Sequence, residues 1–123
     1  MTSYLVDTHI LLWAMDDSTS LSEKHRRIIN AAPLLLVSMA SMWEIAIKQS
    51  LNKLAVPEGL ASGVLRAGFD FLDIRLAHIE ALRTLPQHHG DPFDRMLIAQ
   101  ARVEGLTVLT ADRRFSDYGL ELA

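Results

Sequence analysis

Residues 34–37 read Leu34-Leu35-Leu36-Val37, four apolar side chains in a row between Pro33 and Ser38. A strand with one wet face alternates apolar and polar residues. An unbroken run means that both faces are covered, as in a parallel sheet flanked by helices. Working outward, Ser3 to Val6, Phe69 to Ile74, Thr107 to Thr110 and Leu120 to Leu122 are further strand candidates. Helical segments separate them. One runs from about His9 to Met15 behind Asp7-Thr8, and one starts after Ser20 and runs towards Ala31, where Ser20-Leu21-Ser22-Glu23 has capping-box spacing. Others cover Met39 to Leu51, about Leu60 to Ala67, Ala77 to Leu85, and Phe93 to Glu104 between Pro92 and Gly105. Strands alternating with helices predict βαβ units with right-handed crossovers, hence an α/β fold over residues 1–123 as one domain.

Bulk properties narrow the function classes. Half of the residues are apolar, enough for one real core. Twelve Lys and Arg against fifteen Asp and Glu give a net charge of −3, which argues against nonspecific coating of nucleic acid by a basic face. A nucleic-acid enzyme remains open, because a bound cation supplies positive charge locally. There are no cysteines, so disulfides, zinc–thiolate sites and thiol nucleophiles are excluded. Neither a signal peptide nor a membrane-spanning run is evident, and the expected location is cytoplasmic.

Four acids stand at segment boundaries. Asp7 ends the first strand candidate, Glu44 lies one turn into the helix after Leu34 to Val37, Asp94 opens the helix near Pro92, and Asp112 follows Thr107 to Thr110. Each has an ordinary structural reading. Asp7 suits an N-cap, Glu44 lies three residues after Ser41 and four before Lys48, Asp94 suits a helix dipole, and Asp112 suits a turn. Together they point elsewhere. Residues leaving the carboxyl ends of neighbouring strands meet at the switch point of an open α/β sheet. Carboxylates gathered there repel unless a hard divalent cation joins them, and Mg²⁺ or Mn²⁺ favours all-oxygen ligands. Glu44, flanked by Trp43, Ile45, Ala46 and Ile47, is costly on a covered helix unless paired or ligating. Such a centre cuts or transfers phosphates.

Four stretches carry a family resemblance: Leu5-Val6-Asp7-Thr8-His9, Ser38-Met39-Ala40-Ser41-Met42-Trp43-Glu44-Ile45, Asp91-Pro92-Phe93-Asp94-Arg95-Met96-Leu97-Ile98-Ala99-Gln100-Ala101 and Leu109-Thr110-Ala111-Asp112. They resemble the PIN-domain ribonucleases, and within these the toxin components of VapBC toxin–antitoxin pairs. The resemblance spans nearly the whole chain in order. It implies a three-layer α/β/α sandwich around a mostly parallel sheet, Mg²⁺- or Mn²⁺-dependent RNA cleavage, a homodimer, and a cognate VapB-type antitoxin laying a helix into an apolar groove. The helices of Met39 to Leu51 and Leu60 to Ala67 are the candidate walls of that groove. The resemblance puts the acidic quartet on Asp7, Glu44, Asp94 and Asp112 and lining hydroxyls on Thr8, Ser38 or Thr110. Asp7 and Asp94 are the preferred metal ligands, with Glu44 or Asp112 orienting or deprotonating a water. Many relatives carry Asn where this chain has Phe93, so Asp91 reads as helix cap, as a group that supports a ligand from behind, or as a ligand, the cap being favoured because Pro92 follows.

Phosphate contacts fall to Lys48, Lys53, Arg95, Arg102, Arg113 and Arg114. His9, His88 and His89 lack metal-site spacing and read as loop or rim residues, and Trp13, Trp43 and Met39 read as core. Two competing readings stand beside the nuclease. One is a receiver module with Asp73 as phosphoacceptor, against which Asp7 lacks an acidic neighbour and the last lysine is Lys53. The other is a PIN-like fold retained for binding alone.

Overall fold

The computed structural model describes residues 2–123. Strands β1 (Ser3–Val6), β2 (Leu34–Ser38), β3 (Asp70–Leu72) and β4 (Thr107–Leu109) form an all-parallel sheet in the order β3-β2-β1-β4. Helices α1 (Thr8–Met15), α2 (Glu23–Ala31), α3 (Met39–Ser50), α4 (Leu60–Arg66), α5 (Leu76–Leu82) and α6 (Pro92–Glu104) connect them, and a 3₁₀ segment spans Arg113–Tyr118.

The period-2 geometry of the strands divides the core into two faces. Val6, Leu35, Val37 and Leu109 join Ile10, Leu11, Ile45 and Val64 from α1, α3 and α4. Leu5 and Val108 face the other way, with Leu97, Ile98 and Ala101 of α6 and Phe115. Helices therefore cover both sides of the sheet, and the architecture is an α/β/α sandwich. The unbroken apolar run 34–37 is explained by this: Leu35 and Val37 enter one layer while Leu36 packs against the other.

Register positions the crevice. Val6 pairs with Val37 on one side and Leu109 on the other, so Asp7, Ser38 and Thr110 leave their strands at one level. The Asp7 amide continues the ladder by donating to the Leu109 carbonyl at 3.1 Å. From β1 the chain proceeds through β2 to β3, whereas β4 lies on the opposite flank, which makes the β1/β4 edge the topological switch point.

Several expectations are corrected. β3 is shorter than Phe69 to Ile74, because Phe69 is already buried in a core cluster before the strand begins. Leu120 to Leu122 forms no full strand; an isolated parallel bridge joins Val108 to Leu122. Helix α2 is capped by Ser22, whose hydroxyl accepts the His25 amide at 3.1 Å, not by Ser20. Helix α5 begins and ends earlier than Ala77 to Leu85. Trp43 is 60% exposed, its ring edge-on to Phe93 at 5.2 Å, so it is not core. Among the described residues no helix is long and apolar enough to cross a membrane.

Candidate metal centre

Asp7 leaves β1 with extended backbone and caps α1. One carboxylate oxygen accepts the Ile10 amide at 2.8 Å, and the Thr110 hydroxyl donates to the other. A single side chain thus ties β1, α1 and the end of β4 together. It is only 4% exposed. Burial pushes its pKa up, opposed by the Thr110 and Ile10 donors and by His9, while Asp112 adds to the rise.

Glu44 reaches the same region from α3, whose N-cap is Ser38. It is 4% exposed. Lys48 donates to its Oε2 at 3.0 Å, whereas Oε1 is buried with no hydrogen-bond partner. A buried carboxylate oxygen without a donor is costly, and native structures rarely tolerate one without an ion, a water or a functional reason.

Asp94 lies in the first turn of α6. The turn is capped by Asp91, which accepts the Phe93 and Asp94 amides at 2.8 and 3.1 Å. Of the readings of Asp91, the geometry selects the cap. Asp94 itself is pushed up to about 6, by burial first and then by the charge of Asp91, with Glu44 and Asp7 adding and His89 opposing. Glu44 and Asp7, distant in sequence, are thus among the charges that Asp94 feels. Asp112 behaves oppositely. Arg114 grips it through Nε at 3.1 Å and Nη2 at 2.8 Å, and this guanidinium holds its carboxyl below the ordinary range.

Asp94 and Asp112 meet at a residue that the sequence spacing had assigned to the rim. His89 is 3% exposed, with Nε2 at 3.0 Å from Asp94 and 3.6 Å from Asp112. The separation from Asp94 is short enough for a hydrogen bond, but the N–H does not point along it and Nε2 has no aligned acceptor, so the contact is electrostatic. Nδ1 accepts the Asp91 amide at 3.2 Å. A neutral ring that accepts at Nδ1 carries its proton at Nε2, towards the two carboxylates. The backbone of the loop is fixed from afar, because the Tyr118 hydroxyl accepts the His88 and His89 amides at 3.1 and 2.8 Å. No spacing rule finds His89; only its burial by Phe115 and Tyr118 marks it.

His89, Asp94 and Asp112 each place one potential ligand atom within 4.8 Å of the others. With Nδ1 accepting the Asp91 amide, however, His89 turns an N–H and not a lone pair towards the acids, and faces them as a positive dipole without a ligand atom. The donor set left for a cation is carboxylate oxygen from Asp7, Glu44, Asp94 and Asp112. That set, with one oxygen already lacking a partner, fits Mg²⁺ or Mn²⁺ and does not fit a soft metal.

The remaining expected site residues divide. Thr110 touches Asp7 directly. Thr8 donates to Ser41 at 2.8 Å, and Ser38 accepts the Ala40 amide at 3.0 Å, so both build the walls. Lys48 and Arg114 stand at the crevice through Glu44 and Asp112. The Arg95 guanidinium donates to the Pro86 and Leu85 carbonyls at 2.8 and 3.2 Å, holding the loop that carries His89. Arg102 likewise donates to the Tyr118 carbonyl at 2.7 Å. Arg113, His9 and His88 are exposed. Asp73 is exposed beyond the edge strand β3. The strand order also differs from the 2-1-3-4-5 order of receiver modules, which removes the phosphoacceptor reading.

Comparison with known proteins agrees with this geometry. A family model described as PIN domain matches residues 4–120. Ribonuclease VapC22 of Mycobacterium tuberculosis is 29% identical over 125 residues, covering 96% of this chain and 93% of that protein. The structure of DNA-bound VapBC from Salmonella typhimurium superposes with a TM-score of 0.74 at 17% identity, over 100% of this chain and 98% of that one. Mycobacterium tuberculosis VapC20, a sarcin–ricin loop cleaving toxin, superposes with a TM-score of 0.64 at 19% identity, over 96% of each chain. At such identities the structural likeness establishes the fold alone.

Proposed function

The chain belongs to the PIN domain family, and from that premise we propose that it is a divalent-metal-dependent endoribonuclease, the toxin of a VapBC-type toxin–antitoxin pair. The observation that carries the catalytic half is the buried, donor-less Oε1 of Glu44 in a crevice shared with three more acids. The ribonuclease half draws on relatives named as a ribonuclease and as a toxin that cleaves the sarcin–ricin loop.

Asp7 and Asp94 would hold the cation, as carboxylates projecting from the end of β1 and the start of α6. Bound there, Mg²⁺ or Mn²⁺ supplies Lewis acidity to the phosphoryl oxygen and acidifies water. Glu44 or Asp112 orients the attacking water and takes its proton. Thr110 keeps the Asp7 carboxylate turned into the crevice, and His89 lies against both Asp94 and Asp112. Lys48, Arg113 and Arg114 face the phosphates and position them without reading bases.

The partners follow from the same premise. A VapB-type antitoxin is supported by the toxin–antitoxin complexes among the structural matches. Homodimerisation and a cytoplasmic site of action complete the proposal. The test is cleavage of single-stranded RNA by the purified protein with Mg²⁺ or Mn²⁺. Chelator or Asp7→Asn should abolish it with the fold retained by circular dichroism. Metal-independent or undiminished cleavage sinks the catalytic assignment and leaves a PIN fold kept for binding.

A further inference from the structure

Two adjoining cavities share one aromatic pair. His9 and Trp13, one turn apart on α1, line a trough of about 260 Å³ together with Asp7, Ala111 and Asp112. The same two rings line a cleft of about 320 Å³ whose wall includes Thr8, Asp16, Lys48 and Lys53. His9 and Trp13 therefore stand between the acids of the first cavity and the lysines of the second. Acids fill the first and lysines the second, the order that a polyanion bound at one phosphate and trailing its next residue requires.

Resting on the ribonuclease reading above, we propose that this cleft is the subsite for the single-stranded nucleotide flanking the scissile phosphate, with its base against the His9–Trp13 pair and its phosphate on Lys48 and Lys53. The size suits one residue, since the cleft lies at the lower end of the range for ligand pockets. The ring centroids are 6.0 Å apart with planes at 44°, so the rings are not stacked on each other and a face is left for an incoming base. His9 and Lys53 are exposed and free to engage RNA. The Lys48 ammonium, 3.0 Å from Glu44, links the cleft to the acids. Asp16, also in the lining, repels phosphate and accepts from an exocyclic amine or a 2′-hydroxyl. Single strands are favoured because a base within a duplex exposes no face to stack.

A six-nucleotide single-stranded RNA is the probe. In Asp7→Asn protein also carrying Trp43→Phe, Trp13 is the sole indole, and its emission should fall on saturation with the RNA. In the active protein, His9→Ala and Lys53→Ala should each raise KM roughly five- to tenfold with kcat within about twofold, in line with stacking and phosphate contributions. Trp13→Phe should keep the parent KM, while Trp13→Leu, apolar but without a π face, should not. Normal RNA cleavage with silent Trp13 emission and unaltered KM in the His9 and Lys53 variants overturns the subsite and spares the ribonuclease. Absence of any RNA cleavage by the parent protein overturns the ribonuclease reading and the subsite with it.

Discussion

At Asp94, burial and the charges of Asp91, Glu44 and Asp7 all favour the protonated acid. The folded chain therefore holds a proton, up to about pH 6, that the unfolded chain releases near the ordinary aspartate value of 3.8. Stability contributed by this group is present below the unfolded pKa and is lost as pH rises through the folded one. Without metal, Asp94→Asn should unfold a few degrees above the parent at pH 7, roughly 3 °C on the scale expected for a small domain, with the gap closing towards pH 4. Melting curves from pH 4 to 8 check this; parallel curves would contradict the crowding. Asp7, shifted in the same direction, deepens the effect. At His89 the expected change is functional. His89→Ala removes the only ring donor facing Asp94 and Asp112 among the described residues and should weaken Mn²⁺ binding about 10–100-fold by calorimetry. Equal affinities would make His89 mere filling. Asp7, Asp94 and Asp112 drew attention in the sequence because each sits where a strand or helix starts or stops, and Glu44 because it is a carboxylate on an apolar helix. His89 did not, because its burial comes from Tyr118, 29 residues later in the chain.

Elements owe their boundaries to short-range chemistry, which is why most were readable. Pro92 and Gly105 bracket α6 as expected, Gly105 taking a left-handed φ of 67° that a side chain resists. Where two signals competed, sequence alone misassigned. Ser20 and Ser22 both precede Glu23, and only the three-dimensional course of the chain shows Ser22 accepting the His25 amide. Ser22→Ala should cost about 1 kcal/mol in urea unfolding, and Ser20→Ala close to nothing; the reverse order would restore the capping-box reading. Asp91→Ala should also cost about 1 kcal/mol by loss of the α6 cap. Its backbone amide, which His89 accepts, survives the substitution, so the increase in melting temperature produced by Mg²⁺ should persist. Disappearance of that increase would make Asp91 a ligand. Trp43 escaped for a different reason: an apolar helix reads as covered all round, yet α3 buries only the face of Ala40, Ser41, Glu44 and Ile45 and turns Trp43 outward.

For the whole molecule, the parallel sheet was legible in one apolar run, whereas the order of its strands was not, since register depends on pairing between segments far apart. That order brings the carboxylates together. A cation that binds only the folded arrangement stabilises it by mass action, about 2.7 kcal/mol at one hundred times its dissociation constant. Millimolar Mg²⁺ or Mn²⁺ should therefore raise the melting temperature by several degrees over chelator; identical midpoints would deny a shared centre. The tail also bears on the whole. The Tyr118 hydroxyl accepts two loop amides and donates to the Pro86 carbonyl at 2.9 Å, and its carbonyl takes Arg102. A protease that clipped the chain between Arg114 and Tyr118 would leave all four acids in place, yet slacken the loop beneath them. Cutting at that one turn would therefore loosen His89 and the start of α6 without removing any carboxylate.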